Sequence, residues 1–270
     1  VILRVEKEEA HPQEPVFEVL NLSVQEENEL HAVKNVSFTV RAGEILGVAG
    51  VQGNGQTELA EAITGLRGYN AGTLKIRGQR MPHENPRALV EHGLAHIPED
   101  RQKHGLVLPY PLTDNLILCS YYLHPFVKGI TRDENAIEAY ARERIEQFDI
   151  RTPSPFIPAS NLSGGNQQKL IVARELSRNV SILIANQPTR GLDVGSIEYI
   201  HQTLVEMRDN GVGILLISAE LDEILSLSDR IAVMYEGEIV ATLDADEATR
   251  EELGLLMAGS KKERTQEAAR

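Results

Sequence analysis

At 270 residues, with 41% hydrophobic and 25% charged side chains, the chain suits one large domain, or one domain with an inserted lobe, and carries enough apolar residues for a packed core. A formal net charge of −13 argues against nucleic acid, which draws a basic footprint, and against direct docking on anionic lipid. The single cysteine, Cys119, excludes an internal disulfide, suits a reducing compartment, and reads as a small buried residue rather than a nucleophile.

The chain opens on Val1 rather than methionine, with no signal-peptide pattern, and reads as a piece cut from something longer. Residues 1–15 are charged, include Pro12 and Pro15, and read as a linker. From Phe17 to Ala49 the pattern is β: Val33, Val36, Phe38 and Val40 have strand character, and Arg41-Ala42-Gly43 turns into a short buried strand from Glu44 to Ala49. The acidic run Glu26, Glu27 and Glu29 reads as a solvated loop. A glycine-rich turn follows, then a helix whose apolar face is Leu59, Ile63 and Leu66, with Gly65 near its end. Gly72 to Ile76 reads as a strand. Asn85-Pro86 places a cap and a first-turn proline at the head of a helix that Gly93 ends.

From Arg101 to Phe156 the mixture of charged and scattered apolar residues predicts a helical insertion, clearest from Asp133 to Phe148, with Tyr121 and Tyr122 packed inside it. Pro153, Pro155 and Pro158 then force an extended connection. A helix begins near Gly165. Ser181 to Ala185 and Gly213 to Ile217 are apolar strands, separated by a helix marked by Ile197, Ile200, Leu204 and Met207. Glu236-Gly237 joins two strands, Ile231 to Tyr235 and Glu238 to Leu243, as a hairpin. Strands alternating with helices predict a mainly parallel sheet covered on both faces, with a smaller antiparallel sheet and a helical lobe. The tail from Lys261 to Arg270 reads as frayed. No apolar run approaches the roughly 20 residues that span a bilayer. His92, His96 and His104 lack zinc-ligand spacing and a cysteine pair, and read as ordinary surface or core residues.

The turn Gly50-Val51-Gln52-Gly53-Asn54-Gly55-Gln56-Thr57 sits between a predicted strand and a predicted helix. It fits the P-loop pattern at Gly50, Gly55 and Thr57, with Gln56 where that pattern has lysine. Glycines there let successive N–H groups point at one phosphate, at a helix N-terminus of positive partial charge. Thr57 could ligate Mg²⁺, weakly, and Gln56 can donate hydrogen bonds without bringing charge.

About a hundred residues later comes Leu162-Ser163-Gly164-Gly165-Asn166-Gln167-Gln168, ahead of a helix, and then Ile184-Ala185-Asn186-Gln187-Pro188-Thr189-Arg190-Gly191-Leu192-Asp193. In this order the three motifs resemble the ABC ATPases over residues 16–258. Residues 162–168 are similar to the family's signature, and Pro188 to Asp193 resemble the stretch entering its D-loop, here Gly191, Leu192 and Asp193. The whole looks like the second nucleotide-binding domain of tandem proteins serving sugar or nucleoside uptake, closest to the nucleoside branch. Pro98-Glu99-Asp100-Arg101 also resembles that class.

The resemblance implies a P-loop NTPase α/β core with an antiparallel β-subdomain (residues 16–98 and 178–258), an inserted helical subdomain bearing the signature (99–177), and a tail (259–270). It implies ATP and Mg²⁺ as cofactors, a second nucleotide-binding domain facing this one head to tail, and transmembrane permease subunits. The chain would be cytoplasmic, held at the inner face of the cell membrane through those subunits. Leu162 to Gln167 would serve the partner's ATP, with Ser163, Gly164 and Gly165 on its γ-phosphate. The region between core and helical lobe, including Glu99, would receive a coupling helix.

Departures from the family pattern agree with one another. Gln56 stands for lysine, Asn186 for the Mg²⁺-supporting aspartate, Gln187 for the catalytic glutamate, Ala219 for the switch histidine and Glu99 for the Q-loop glutamine. No Phe, Tyr or Trp lies between Phe17 and Phe38 to stack on adenine. Loss of a general base typically removes about 10²–10⁴ in rate. One positive and two negative charges disappear together, so the site keeps its shape without a bound Mg–ATP to balance buried charge. Trapping mutations would leave similar residues, but coordinated replacement fits a naturally degenerate site better. The leading expectation is a non-hydrolysing half of an asymmetric importer ATPase whose own loop binds nucleotide weakly or not at all. The alternatives are a working ATPase with unusual residues, and a soluble regulator acting on nucleic acid or ribosomes, against which the net charge counts.

Overall fold

The computed structural model describes residues 7–25 and 31–259, except for the side chain of residue 31. The acidic run Glu26, Glu27 and Glu29, residues 1–6 and residues 260–270 lie outside the described residues. In chain order the elements are β1 (Pro15–Gln25), β2 (His31–Arg41), β3 (Ile45–Ala49), α1 (Gln56–Ile63), β4 (Ala71–Ile76), β5 (Gln79–Arg80), α2 (Pro86–Glu91), β6 (Leu94–Ile97), α3 (Leu112–Leu116), β7 (Val127–Lys128), β8 (Thr131–Arg132), α4 (Glu134–Gln147), α5 (Gly164–Leu176), β9 (Ile182–Asn186), α6 (Val194–Asp209), β10 (Gly213–Ser218), α7 (Leu221–Leu227), β11 (Arg230–Tyr235), β12 (Glu238–Asp244) and α8 (Arg250–Met257). They fall into two compact units. The first holds the described residues of Val1–His96, Ser181–Pro188 and Glu198–Arg270; the second holds Ile97–Val180 and Thr189–Ile197.

The first unit contains a six-stranded sheet in the order β12-β11-β3-β10-β9-β6. β3 pairs in parallel with β10 and β11, and β10 with β9, while β12 closes the edge antiparallel to β11. Every residue of β3, β9 and β10 is buried, as unbroken apolar runs such as Ile214 to Ile217 require of a sheet covered on both faces. A second, antiparallel sheet runs β2-β1-β4-β5. In β1 the buried residues change phase, from Phe17 and Val19 to Leu22 and Val24. A register shift between Val19 and Leu22 absorbs the extra residue, with Asn21 at φ +51°. The bulge keeps both halves of the strand facing the core. Phe17, Leu46, Leu59, Ile63, Ile184, Leu215 and Met234 belong to that one core.

One expectation fails here for a visible reason. α1 stops at Ile63, and Gly65 turns the chain at φ +77°, so Leu66 falls past the helix and is exposed. On α6 the buried stripe is Ile200, His201, Leu204, Val205 and Arg208, with Ile197 and Met207 only half-buried. The two polar side chains in this stripe are tolerated because they have partners. His201 Nε2 lies 2.9 Å from Glu223. Arg208, 1% exposed, donates to Asp209, to Asp229 and to the Glu8 carbonyl. Within the segment read as a linker, Lys7 donates to the carbonyls of Leu227 and Ser228 and to Asp229, and Gln13 to the Ala42 carbonyl.

The second unit is mainly helical. Asp133 caps α4 through the Ala136 N–H at 3.2 Å, and Ile117, Phe126 and Ile137 pack with Tyr140. A small hairpin, β7–β8, lies within the stretch read as a helical insertion, turning at Gly129 with φ +64°. Tyr121 is exposed rather than packed, touching Tyr122 edge-on at 5.3 Å. α5 buries Arg174 and Glu175 beside the half-buried Arg178, with bonds of 2.8 and 2.6 Å to the carboxylate. Burial works against the Glu175 charge, but the two guanidiniums outweigh it and hold the carboxyl below its ordinary range. Cys119 is half-buried. Burial, and then the neighbouring Glu175 charge, push its thiol up, which disfavours the nucleophilic thiolate. No helix among the described residues is long and apolar enough to cross a membrane.

Candidate functional site

In the first unit, β3, β9 and β10 end together. Their register sets Ser218 beside Ala49 and Ile217 beside Asn186, so the turn after each strand opens at the same, carboxyl end of the sheet. That end is where open parallel sheets place their ligands.

The turn after β3 is the glycine loop. Gly53 and Gly55 have φ of +91° and +98°, which favour glycine. A Cβ on Gly55 would stand 2.2 Å from the Ala32 carbonyl oxygen, and one on Gly50 would stand 2.2 Å from the Gln56 amide nitrogen. The loop is braced from behind by the hairpin turn between β11 and β12. Asn54 Oδ1 accepts from the Glu236 N–H and the Asn54 carbonyl accepts from the Gly237 N–H, both at 3.0 Å. Val51, Gln52, Gly53 and Thr57 are exposed. Gly55 caps α1 with no side-chain hydrogen bond, so no cap side chain covers the positive end of the helix.

Gln56 is 6% exposed, and its side chain folds back against Gly50. Its Nε2 is buried without a hydrogen-bond partner. Asn186, 5% exposed, ends β9. Gln187 follows at φ +48° and donates its N–H to the Ile217 carbonyl at 2.8 Å. Ala219 is exposed immediately after β10. The donors fit a phosphate: uncapped N–H groups and one orphaned amide. The residues at 186 and 187 do not fit a divalent cation, which is normally held through carboxylate. Among the described residues no cluster of three His, Cys, Asp or Glu could hold a metal.

The second unit carries the other motif. Ser163 caps α5, its Oγ accepting from the Asn166 N–H at 3.4 Å and from Asn166 Nδ2 at 3.0 Å. Leu162, Gly165 and Gln167 are buried, so of the six residues expected to meet a ligand only Ser163, Gly164 and Asn166 reach the surface. Gln167 turns inward because its amide donates to the Ala159 carbonyl and accepts from Gln102, both at 3.2 Å. Gly165 has no room for a side chain: a Cβ there would lie 2.2 Å from Ser196 Oγ and 3.3 Å from Asp193 Oδ2. Asp193 in turn accepts from the Ser196 N–H and Oγ at 3.0 and 2.8 Å. The backbone bond from Ser196, and then its hydroxyl, hold the Asp193 carboxyl below its usual range. Gly191 takes φ +68°, and Leu192 is half-buried.

Glu99 pairs with Arg190, and Arg101 donates to the Arg190 carbonyl at 2.9 Å. These residues, with Asp100, Gln102 and Gly191, line a cavity of about 370 Å³. A Cβ on Gly164 would lie 3.0 Å from Arg101 Nη2, so this guanidinium stands beside the signature turn. The sequence marks Glu99 to Arg101 only as a resemblance. Nothing in it marks Asn54 or Arg190 as braces.

Residues 33–190 match the family described as ABC transporter. Over 260 residues the chain is 48% identical to the guanosine import ATP-binding protein NupO of Bacillus subtilis, covering 96% of this chain and 51% of that protein. It is also 48% identical, over 254 residues, to the nucleoside import ATP-binding protein NupA of Lactococcus lactis, covering 94% of this chain and 50% of that one. The chain thus spans about half the length of these relatives. Among solved structures, MJ1267, an ATP-binding cassette of an ABC transporter in its ADP conformation, superposes with a TM-score of 0.71 at 21% identity, covering 92% of this chain and 97% of that one. At that identity the likeness shows the fold, an ABC ATPase cassette.

Proposed function

The chain belongs to the ABC transporter family, and from that premise we propose that it is one nucleotide-binding domain of an importer for nucleosides, or for sugars. In this reading it lends Ser163 and the N–H group at Gly164 to ATP held by a second nucleotide-binding domain, while the buried Gly165 shapes the turn. Its own loop does not hydrolyse ATP. The hydrolysis at the partner drives uptake through transmembrane permease subunits, which hold the chain at the inner face of the cell membrane. The region around Glu99, Arg101 and Arg190 receives a coupling helix from such a subunit.

The observation that carries the reading is a phosphate loop that keeps its shape while the positions for charge and base hold Gln56, Asn186, Gln187 and Ala219. A glutamine at 187 cannot take a proton from water, the amide at 56 offers phosphate a hydrogen bond but no positive charge, and the amide at 186 does not anchor a cation as a carboxylate would. The signature keeps what it needs: a hydroxyl and free N–H groups at the head of α5, a 13-residue helix. Both relatives named above are import ATP-binding proteins by name, which supports the nucleoside assignment.

The test uses an assembly containing this chain and a hydrolytic domain of the same transporter. Ser163→Ala should lower phosphate release by about 10²-fold, the usual cost of one positioned donor to a transition-state anion. A rate that stays at the wild-type level would remove the signature from the partner's site.

A further inference from the structure

The amide of Gln56 is out of place in a structural turn. It is 6% exposed, its Nε2 has no hydrogen-bond partner, and it folds over Gly50 at the heart of the loop. A buried orphan donor is costly, and each one calls for an explanation. The surroundings supply one. The loop heads α1, an eight-residue helix whose N-cap, Gly55, has no side chain to satisfy the first N–H groups. Asn54 ties the loop to Glu236 and Gly237, and Gly55 packs on the Ala32 carbonyl. The donors are therefore held in place in advance.

We propose that the Gly50–Thr57 loop is a working polyphosphate site that takes a nucleoside di- or triphosphate without a divalent cation. The proposal rests on the reading of this loop as hydrolytically inert and gives it a ligand. Mg²⁺ dehydrates reluctantly and is normally held by one or two carboxylates together with the phosphates. At the ends of β9 and β10 the corresponding positions are Asn186, Gln187 and Ala219. Thr57 supplies a hydroxyl but no charge. The anion is met instead by the positive end of α1 and by the Gln56 N–H. A loop of this kind holds the anion through its own donors and has no carboxylate with which to hold the metal.

The experiment is calorimetry on the 270-residue chain with ADP, and separately with inorganic pyrophosphate, each titrated in EDTA and in excess Mg²⁺. Binding is expected in EDTA, with an affinity within about threefold of that in Mg²⁺. Gln56→Met should weaken it by about tenfold or more, the loss of one hydrogen bond to a charged acceptor. The proposal is overturned if neither probe binds, if Mg²⁺ tightens binding by more than about tenfold, or if Gln56→Met binds like wild type. Should Gln56→Met fail to fold, the comparison of EDTA with Mg²⁺ on the wild-type chain decides alone. Absence of binding leaves the inert reading standing. Steady phosphate release from Mg–ATP, lost in Gln56→Met, would overturn that reading separately.

Discussion

Gln56→Met should make the chain more stable, not less. Methionine has the same length as glutamine and a similar helix propensity, so the exchange isolates the amide. The Gln56 side chain is 6% exposed, with Nε2 unpartnered. An unsatisfied buried donor costs about 1–3 kcal/mol, and removing it should return that amount to the folded state without ligand. Urea slopes of about 1–3 kcal/mol/M convert this into a midpoint shift of about 1 M for the transition that includes the six-stranded sheet. Urea unfolding followed by circular dichroism reads it directly. Pyrophosphate at about 100 times the wild-type Kd should narrow the gap, because it adds roughly 2.7 kcal/mol to the wild type and roughly 1.4 kcal/mol to a variant that binds tenfold more weakly. A lower midpoint for Gln56→Met without ligand would show that the amide is already satisfied, and the reasoning from the orphan donor would fail.

Other expectations follow from packing. Glu175→Gln strands Arg174 in the second unit and should cost about 3–5 kcal/mol at neutral pH, read by urea unfolding. Because the folded carboxyl titrates below its unfolded value, its stabilisation is full above the ordinary carboxylate range. It fades as pH falls through the folded value, so variant and wild type should converge in acid. Gly165→Ala drives a methyl to within 2.2 Å of Ser196 Oγ and should cost about 1–3 kcal/mol. Adding Ser196→Ala should recover part of that loss, and a double-mutant cycle showing no coupling would contradict the contact. Gly55→Ala meets both a φ of +98° and the Ala32 carbonyl at 2.2 Å, so it should cost at least about 1–3 kcal/mol and lower the unfolding midpoint.

The sequence made the parallel core legible because its strands are unbroken apolar runs and its turns carry glycine, proline or a capping residue. Asn85 caps α2, Asp133 caps α4 and Ser163 caps α5, each through a side-chain oxygen accepting a helix N–H. What escaped depended on partners far along the chain. Arg208 reads as a surface cation until Asp229 and the Glu8 carbonyl are brought to it. Leu66 fits the helical period, but Gly65 ends the helix before it. In the site, the motif letters located the loop and the signature, whereas burial separates Ser163, Gly164 and Asn166 from the inward Leu162, Gly165 and Gln167. The brace joins Asn54 to Glu236, 182 residues away in sequence, and to its neighbour Gly237, and no local pattern announces it.

Phosphate release from Mg–ATP by the isolated chain tests the central claim most directly. A site with Gln56, Asn186, Gln187 and Ala219 should give no release above the buffer blank, whether or not nucleotide is bound. Steady release that disappears in Gln56→Ala would show that these neutral side chains suffice for hydrolysis and that the loop is a working ATPase site.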